Sequence, residues 1–107
     1  MEAHNQHAGQ GSVLLDIGGD VGAVVLSMPA ELAGHEVEAR PVTARPGHPH
    51  LPHVAVLGRP VAGRIRYSAV FGELPRGEYE LYLRPSGPVA LTVSVRGGEV
   101  TEADWPL

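Results

Sequence analysis

Apolar and polar residues alternate with a period of two along much of this chain, and glycine and proline fall between the alternating runs. In residues 12–17, Val13, Leu15 and Ile17 alternate, which predicts a half-buried strand. Gly18, Gly19 and Asp20 follow as a turn signal, because glycine reaches positive φ and Asp bonds its local backbone. Residues 21–28, VGAVVLSM, are almost continuously apolar. Their short length and their Val content favour a central strand, covered on both sides, over a buried helix. Pro29 ends the run. Residues 30–34 predict one helical turn or a tight connection, with Gly34 just past it. In residues 35–42, Glu36, Glu38 and Arg40 face one way and His35, Val37 and Ala39 the other. Pro41 marks an edge position near that strand's end.

Residues 43–52, TARPGHPHLP, hold three prolines and predict a stiff, polyproline-like loop. Strands are predicted at 53–57 and 64–71, with residues 58–63 joining them. In the second, Ile65, Tyr67, Ala69 and Phe71 share one face, while Arg64, Arg66 and Ser68 share the other. After a turn at 74–77, Tyr79, Leu81 and Leu83 alternate against Glu78, Glu80 and Arg84. A turn at 85–88 precedes Val89, Leu91, Val93 and Val95. Gly97-Gly98 is a hairpin signal, and residues 99–105 read as a last strand with Trp105 as a core plug. Seven or eight short strands at this spacing predict an all-β fold, an antiparallel β-sandwich with prealbumin-like or Ig-like layering. The sandwich occupies residues 12–107, and residues 1–11 read as a flexible, His-containing tail.

Composition narrows the class. A chain of 107 residues makes one domain, long enough to bury a core without staples. The 14 Gly and 10 Pro approach a disordered composition, yet 43% of residues are apolar and the breakers sit between apolar runs. With no Cys, disulfides, thiolate catalysis and Cys-based zinc sites are excluded. A net charge of −4 argues against nucleic acid and against an anionic membrane surface as partners. No apolar run is long enough to span a bilayer, and the polar start MEAHNQHAGQG is not a signal peptide, so a cytoplasmic location is expected.

The segment VFGELPRGEYELYL at residues 70–83, followed by an alternating strand and the turn Gly97-Gly-Glu-Val100, resembles the C-terminal half of prealbumin-like sandwich domains. Carboxypeptidase regulatory-like and Cna-B-type modules carry this pattern, and the resemblance covers residues 70–104. It implies the sandwich fold, with Pro75 and Gly77 in the turn and Tyr79 and Leu81 in the core. It implies no activity, since such a fold hosts many functions. Residues 15–23, His53-Val-Ala-Val and the C-terminal GGEVTEADW also resemble a group of short uncharacterised proteins from high-GC bacteria, over most of the chain.

Histidine is the main chemical feature. His48, His50 and His53 place three imidazoles within six residues, and imidazole suits Zn, Cu and Ni. In an extended chain His48 and His50 share a side; in a polyproline segment His50 and His53 do. His4 or His7 would supply a further ligand if the tail folds back. The plainer alternative is an exposed Pro/His loop whose last His starts a strand. Asp16 and Asp20 flank two glycines but lack the ligand density of a calcium loop, so ordinary turn carboxylates are the simpler reading. Ser12, Ser27, Ser68, Ser86 and Ser94 stand in no Gly-x-Ser-x-Gly elbow. Glu36 and Glu38 form a carboxylate pair of the kind used in acid/base work, or a solvated strand face, as do Glu78 and Glu80. The expected function is a small non-enzymatic binding or interaction module. A His-based transition-metal-binding protein is the alternative, and a hydrolase the remote one. A homodimer or a protein partner is expected through the open sheet edges, unless Pro41 and the Arg64/Arg66 strand guard them.

Overall fold

A computed structural model describes residues 15–44 and 50–107, and these form a two-layered sandwich. Its strands are β1 (Val21–Ser27), β2 (Glu36–Pro41), β3 (His53–Ala55), β4 (Leu57–Val61), β5 (Arg64–Pro75), β6 (Gly77–Leu83), β7 (Leu91–Val95) and β8 (Val100–Asp104). One sheet has the order β4-β5-β1-β8 and the other β3-β2-β6-β7. They are called here the β5 sheet and the β6 sheet. A single 3₁₀ turn, Ala30–Leu32, links β1 to β2 across the layers.

Alternation builds the core. Successive strand residues point to opposite faces, so every second apolar residue reaches the layer between the sheets. Val24 and Leu26 of β1 and Ala69, Phe71 and Leu74 of β5 meet Val37, Ala39, Tyr79, Leu81, Val93 and Val95 from the other sheet. Burying each large apolar side chain contributes roughly 1.5–3 kcal/mol before entropy is counted. The Tyr79 hydroxyl donates to the Pro75 carbonyl at 2.6 Å, which satisfies its one polar atom inside the core. Trp105 joins the same cluster, and its backbone N–H donates to the Ser27 carbonyl at 2.9 Å. The expected plug is there.

Several sequence expectations are corrected. The strand expected at 12–17 has only residues 15–17 within the described range. These form no strand, though the Asp16 N–H bonds the Gly72 carbonyl at 3.0 Å. Residues 58–63 are no plain linker: 58–61 belong to β4, and only Ala62 and Gly63 turn the chain back into β5. Both have positive φ, 51° and 81°, as a two-residue hairpin turn of matching twist requires. Gly97-Gly98 closes no hairpin, because β7 and β8 lie in different sheets. Gly97 is instead a close approach, where a Cβ would meet the Gly19 carbonyl oxygen at 1.9 Å. The sandwich is also not wholly antiparallel: β8 runs parallel to β1. Ile65 shares a face with Tyr67 but overhangs the core and is 57% exposed. Pro41 does lie past the end of β3, where β2 becomes an edge.

Val56 is the hinge between the layers. It lies between β3 in one sheet and β4 in the other and is fully buried. Its N–H donates to the His35 carbonyl at 2.8 Å, and its carbonyl accepts from Gly34 at 2.9 Å.

Candidate functional site

The outward face of the β6 sheet carries an ionic ladder. Register sets Arg40 opposite Glu80 and Glu38 opposite Tyr82. Arg40 donates to Glu80 Oε1 from Nε at 3.1 Å and from Nη2 at 2.7 Å. Its guanidinium carbon lies 4.9 Å from the Tyr82 ring centroid, within cation–π range. Arg84 bridges Glu36 at 2.6 Å and Glu38 at 3.0 Å. The Tyr82 hydroxyl donates to Glu38 Oε2. Although Tyr82 points outward, these neighbours leave it only 6% exposed. Desolvation, then the Glu38 carboxylate, pushes its pKa up to about 12. The hydrogen bond to Glu80 raises that of Arg40. Glu36, Glu38 and Glu80 are therefore joined to basic and phenolic partners, not free in solvent. Glu78 accepts from the Ser94 hydroxyl.

The predicted metal ligands divide. His4, His7 and His48 lie outside the described residues. His50 and His53 are exposed, and His53 Nδ1 lies 3.2 Å from the Leu51 carbonyl oxygen. His53 pairs with Glu38 across β2 and β3, so it faces outward beside the ladder. Among the described residues no group of three or more His, Asp or Glu side chains is poised for a metal. Asp16 is exposed, and Asp20 sits 3.6 Å from Arg76 Nε, also at the surface.

The β4–β5 hairpin differs in character. Arg59 of β4 lies directly opposite Arg66 of β5, and Arg64 lies two residues from Arg66 on the same face. Arg59 is 8% exposed; its Nη1 donates to the Ser68 carbonyl at 2.9 Å and to the Ser68 hydroxyl at 2.6 Å. Desolvation lowers its pKa. Leu57 and Ile65, 50% and 57% exposed, lie on the same hairpin. β4 is an edge strand, and β5 pairs with β1 only from Ser68 onward, so at Arg64 and Arg66 β5 has β4 on one side alone. Alternation in 64–68 displays Arg64, Arg66 and Ser68 together. Arg59 is missed because 58–63 reads as a linker; the signal is Gly63, which marks the two-residue turn.

An apolar recess of about 330 Å³ opens at one end of the sandwich, lined by Leu83, Gly87, Pro88, Ala90, Trp105, Pro106 and Leu107. Among the described residues no helix is long and apolar enough to cross a membrane.

No protein-family model matches the chain, and no curated protein does. A solved structure described as "The Bacillus anthracis TIE protein" is similar to it at 17% identity, with a TM-score of 0.45. The match covers 79% of this chain and 16% of that one, so the chain spans about a sixth of that protein's length.

Proposed function

We propose that this protein is a small, non-enzymatic interaction module that meets its partner through the β4–β5 hairpin. One observation carries the reading: this hairpin combines a free edge strand, exposed Leu57 and Ile65, and arginines without carboxylate partners among the described residues. Arginine and large apolar residues are what protein interfaces concentrate, and an unpaired strand edge offers backbone groups to a partner. The opposite sheet supports the choice, because its charged side chains are engaged with one another. A hydrolase draws no support from the recess, whose lining has no titratable side chain. The likeness of residues 15–23 and the C-terminal GGEVTEADW to short proteins from high-GC bacteria supports a bacterial setting. A photo-crosslinker at Ile65 should give one discrete adduct in a cell extract, and one at Thr92 on the opposite sheet none. Equal capture at both positions overturns the reading. Light scattering then tells a second copy from a different protein.

A second reading is a His-based site for Zn, Cu or Ni. What favours it is Glu38 beside His53, a carboxylate that the His-rich loop itself lacks. Coordination needs neutral imidazole, so affinity should weaken below about pH 6. Calorimetric titration with Zn²⁺ and Cu²⁺, beside a His48→Ala/His50→Ala variant, tests it. Absence of heat in the parent, or equal heat in the variant, removes it.

A further inference from the structure

We propose that the outward face of the β4–β5 hairpin is an oxyanion-binding site built from Arg59, Arg64, Arg66 and Ser68. The inference deepens the hairpin reading and rests on it. Antiparallel register forces Arg59 and Arg66 into direct opposition, and period two adds Arg64 to the same face. Like charges directly opposite on a sheet are destabilising. Arg40, Arg76 and Arg84 each have a carboxylate within 4.0 Å, and Arg96, which has none among the described residues, stands alone and exposed. Among the described residues none of the three hairpin arginines has one. A basic composition does not account for the cluster, because the chain carries a net charge of −4.

Burial sharpens the point. At 8% exposure Arg59 has lost most of its water, and its only acceptors among the described residues are neutral: the Ser68 carbonyl and hydroxyl, and the Leu57 carbonyl at 3.4 Å. All of them are met by Nη1, which leaves Nε and Nη2 without a protein acceptor among those residues. A desolvated cation with spare donors is costly unless a counter-charge arrives. The two bonds to Ser68 also fix the guanidinium, so little freedom is lost on binding. Arg64 and Arg66 are exposed and can close over an anion that Arg59 anchors. Ser68 Oγ accepts from Arg59, and its own hydrogen can donate to the same anion. Carboxylate and phosphate groups both match the guanidinium fork, so the shared chemistry is a hydrogen-bond-accepting oxyanion.

The test uses the whole chain, labelled with ¹⁵N. It is titrated with inorganic phosphate and, separately, with a tetra-aspartate peptide, each against sodium chloride at equal ionic strength. Saturable shifts beyond the chloride control should concentrate at Arg59, Arg64, Arg66 and Ser68. Phosphate alone saturating identifies a phosphate-bearing ligand, and the peptide alone an acidic side chain. Arg66→Ala and Arg64→Ala, both surface changes that leave the spectrum dispersed, should weaken binding about tenfold each. Arg96→Ala, in the turn between β7 and β8, should leave it unchanged. If neither anion moves the hairpin beyond the chloride control, or Arg66→Ala binds like the parent, the site is overturned. The Ile65 crosslink still reports separately on the interaction surface.

Discussion

On the β6 sheet Arg40 and Arg84 each meet a carboxylate, while on the β5 sheet Arg59, Arg64 and Arg66 meet none among the described residues. Both faces are made of strands with the same alternation, and both cover the same core. The difference is register. On β2 and β6 it sets opposite charges across from one another, so the face is complete in itself. On β4 and β5 it sets like charges across from one another, so the face keeps positive charge that no described carboxylate neutralises. A self-satisfied face adds to stability, and the unsatisfied one is the face proposed above for recognition.

The largest effect belongs to neither face. Leu81→Ala, beneath the ladder and fully buried, should cost on the order of 2–5 kcal/mol in urea melts. A smaller loss there would mean that the faces, not the core, hold the sandwich together.

Alkaline pH attacks the ladder next. Tyr82 has a folded pKa of about 12 against an ordinary 10.0. Its contribution is therefore complete below pH 10 and is lost as pH rises through 12. The loss should approach roughly 2–3 kcal/mol, and stability measured from pH 9 to 12 should fall more steeply in the parent than in Tyr82→Phe. Identical slopes would detach Tyr82 from the ladder's energetics.

Glu38 receives both Tyr82 and Arg84. Replacing it with Ala should cost about 1–2 kcal/mol by chemical denaturation, because the buried Tyr82 hydroxyl loses its acceptor and Arg84 is left with Glu36 alone. On the hairpin, Ala62 sits at φ 51°, where a non-glycine side chain is strained. Ala62→Asn should raise stability by about 0.5–1 kcal/mol and leave anion binding unchanged, which separates turn strain from charge. The smallest effect is the most telling. Arg66→Ala should stabilise the free protein slightly, by up to about 0.5 kcal/mol at low salt, and the gain should fade as salt is added. Destabilisation instead would place a counter-charge on the hairpin already.

How much of this the chain displays depends on the range of each signal. Alternation is local, so the strands at 21–28, 35–42 and around 79–83, the buried faces of the latter two and the Trp105 plug are readable from the residues alone. The run 21–28, read as covered on both sides, instead lies in an outer layer with Ser27 exposed. Sheet membership is not local. Nothing in Gly97-Gly98 says that the next strand joins the other layer, or that it runs parallel to β1. The two faces divide in the same way. Glu36, Glu38 and Arg40 are visibly co-facial, but their neutralisation depends on β6, some forty residues away. Arg59 opposite Arg66 depends on a two-residue turn, and a longer linker in its place hides the pair.

The parallel pairing of β1 and β8 has a mechanical consequence. The two strands lie side by side in register, from Ala23 beside Val100 to Ser27 beside Asp104. Force applied between the start of β1 and the end of β8 pulls these neighbours along their lengths in opposite directions. Their hydrogen bonds must then slide past one another together, in shear, instead of parting one at a time like a zip. Trp105, wedged into the core just past β8, must be dragged out in the same event. Pulled along this axis the sandwich should yield abruptly, whereas peeling the β4–β5 hairpin outward from its edge should open the same sheet gradually.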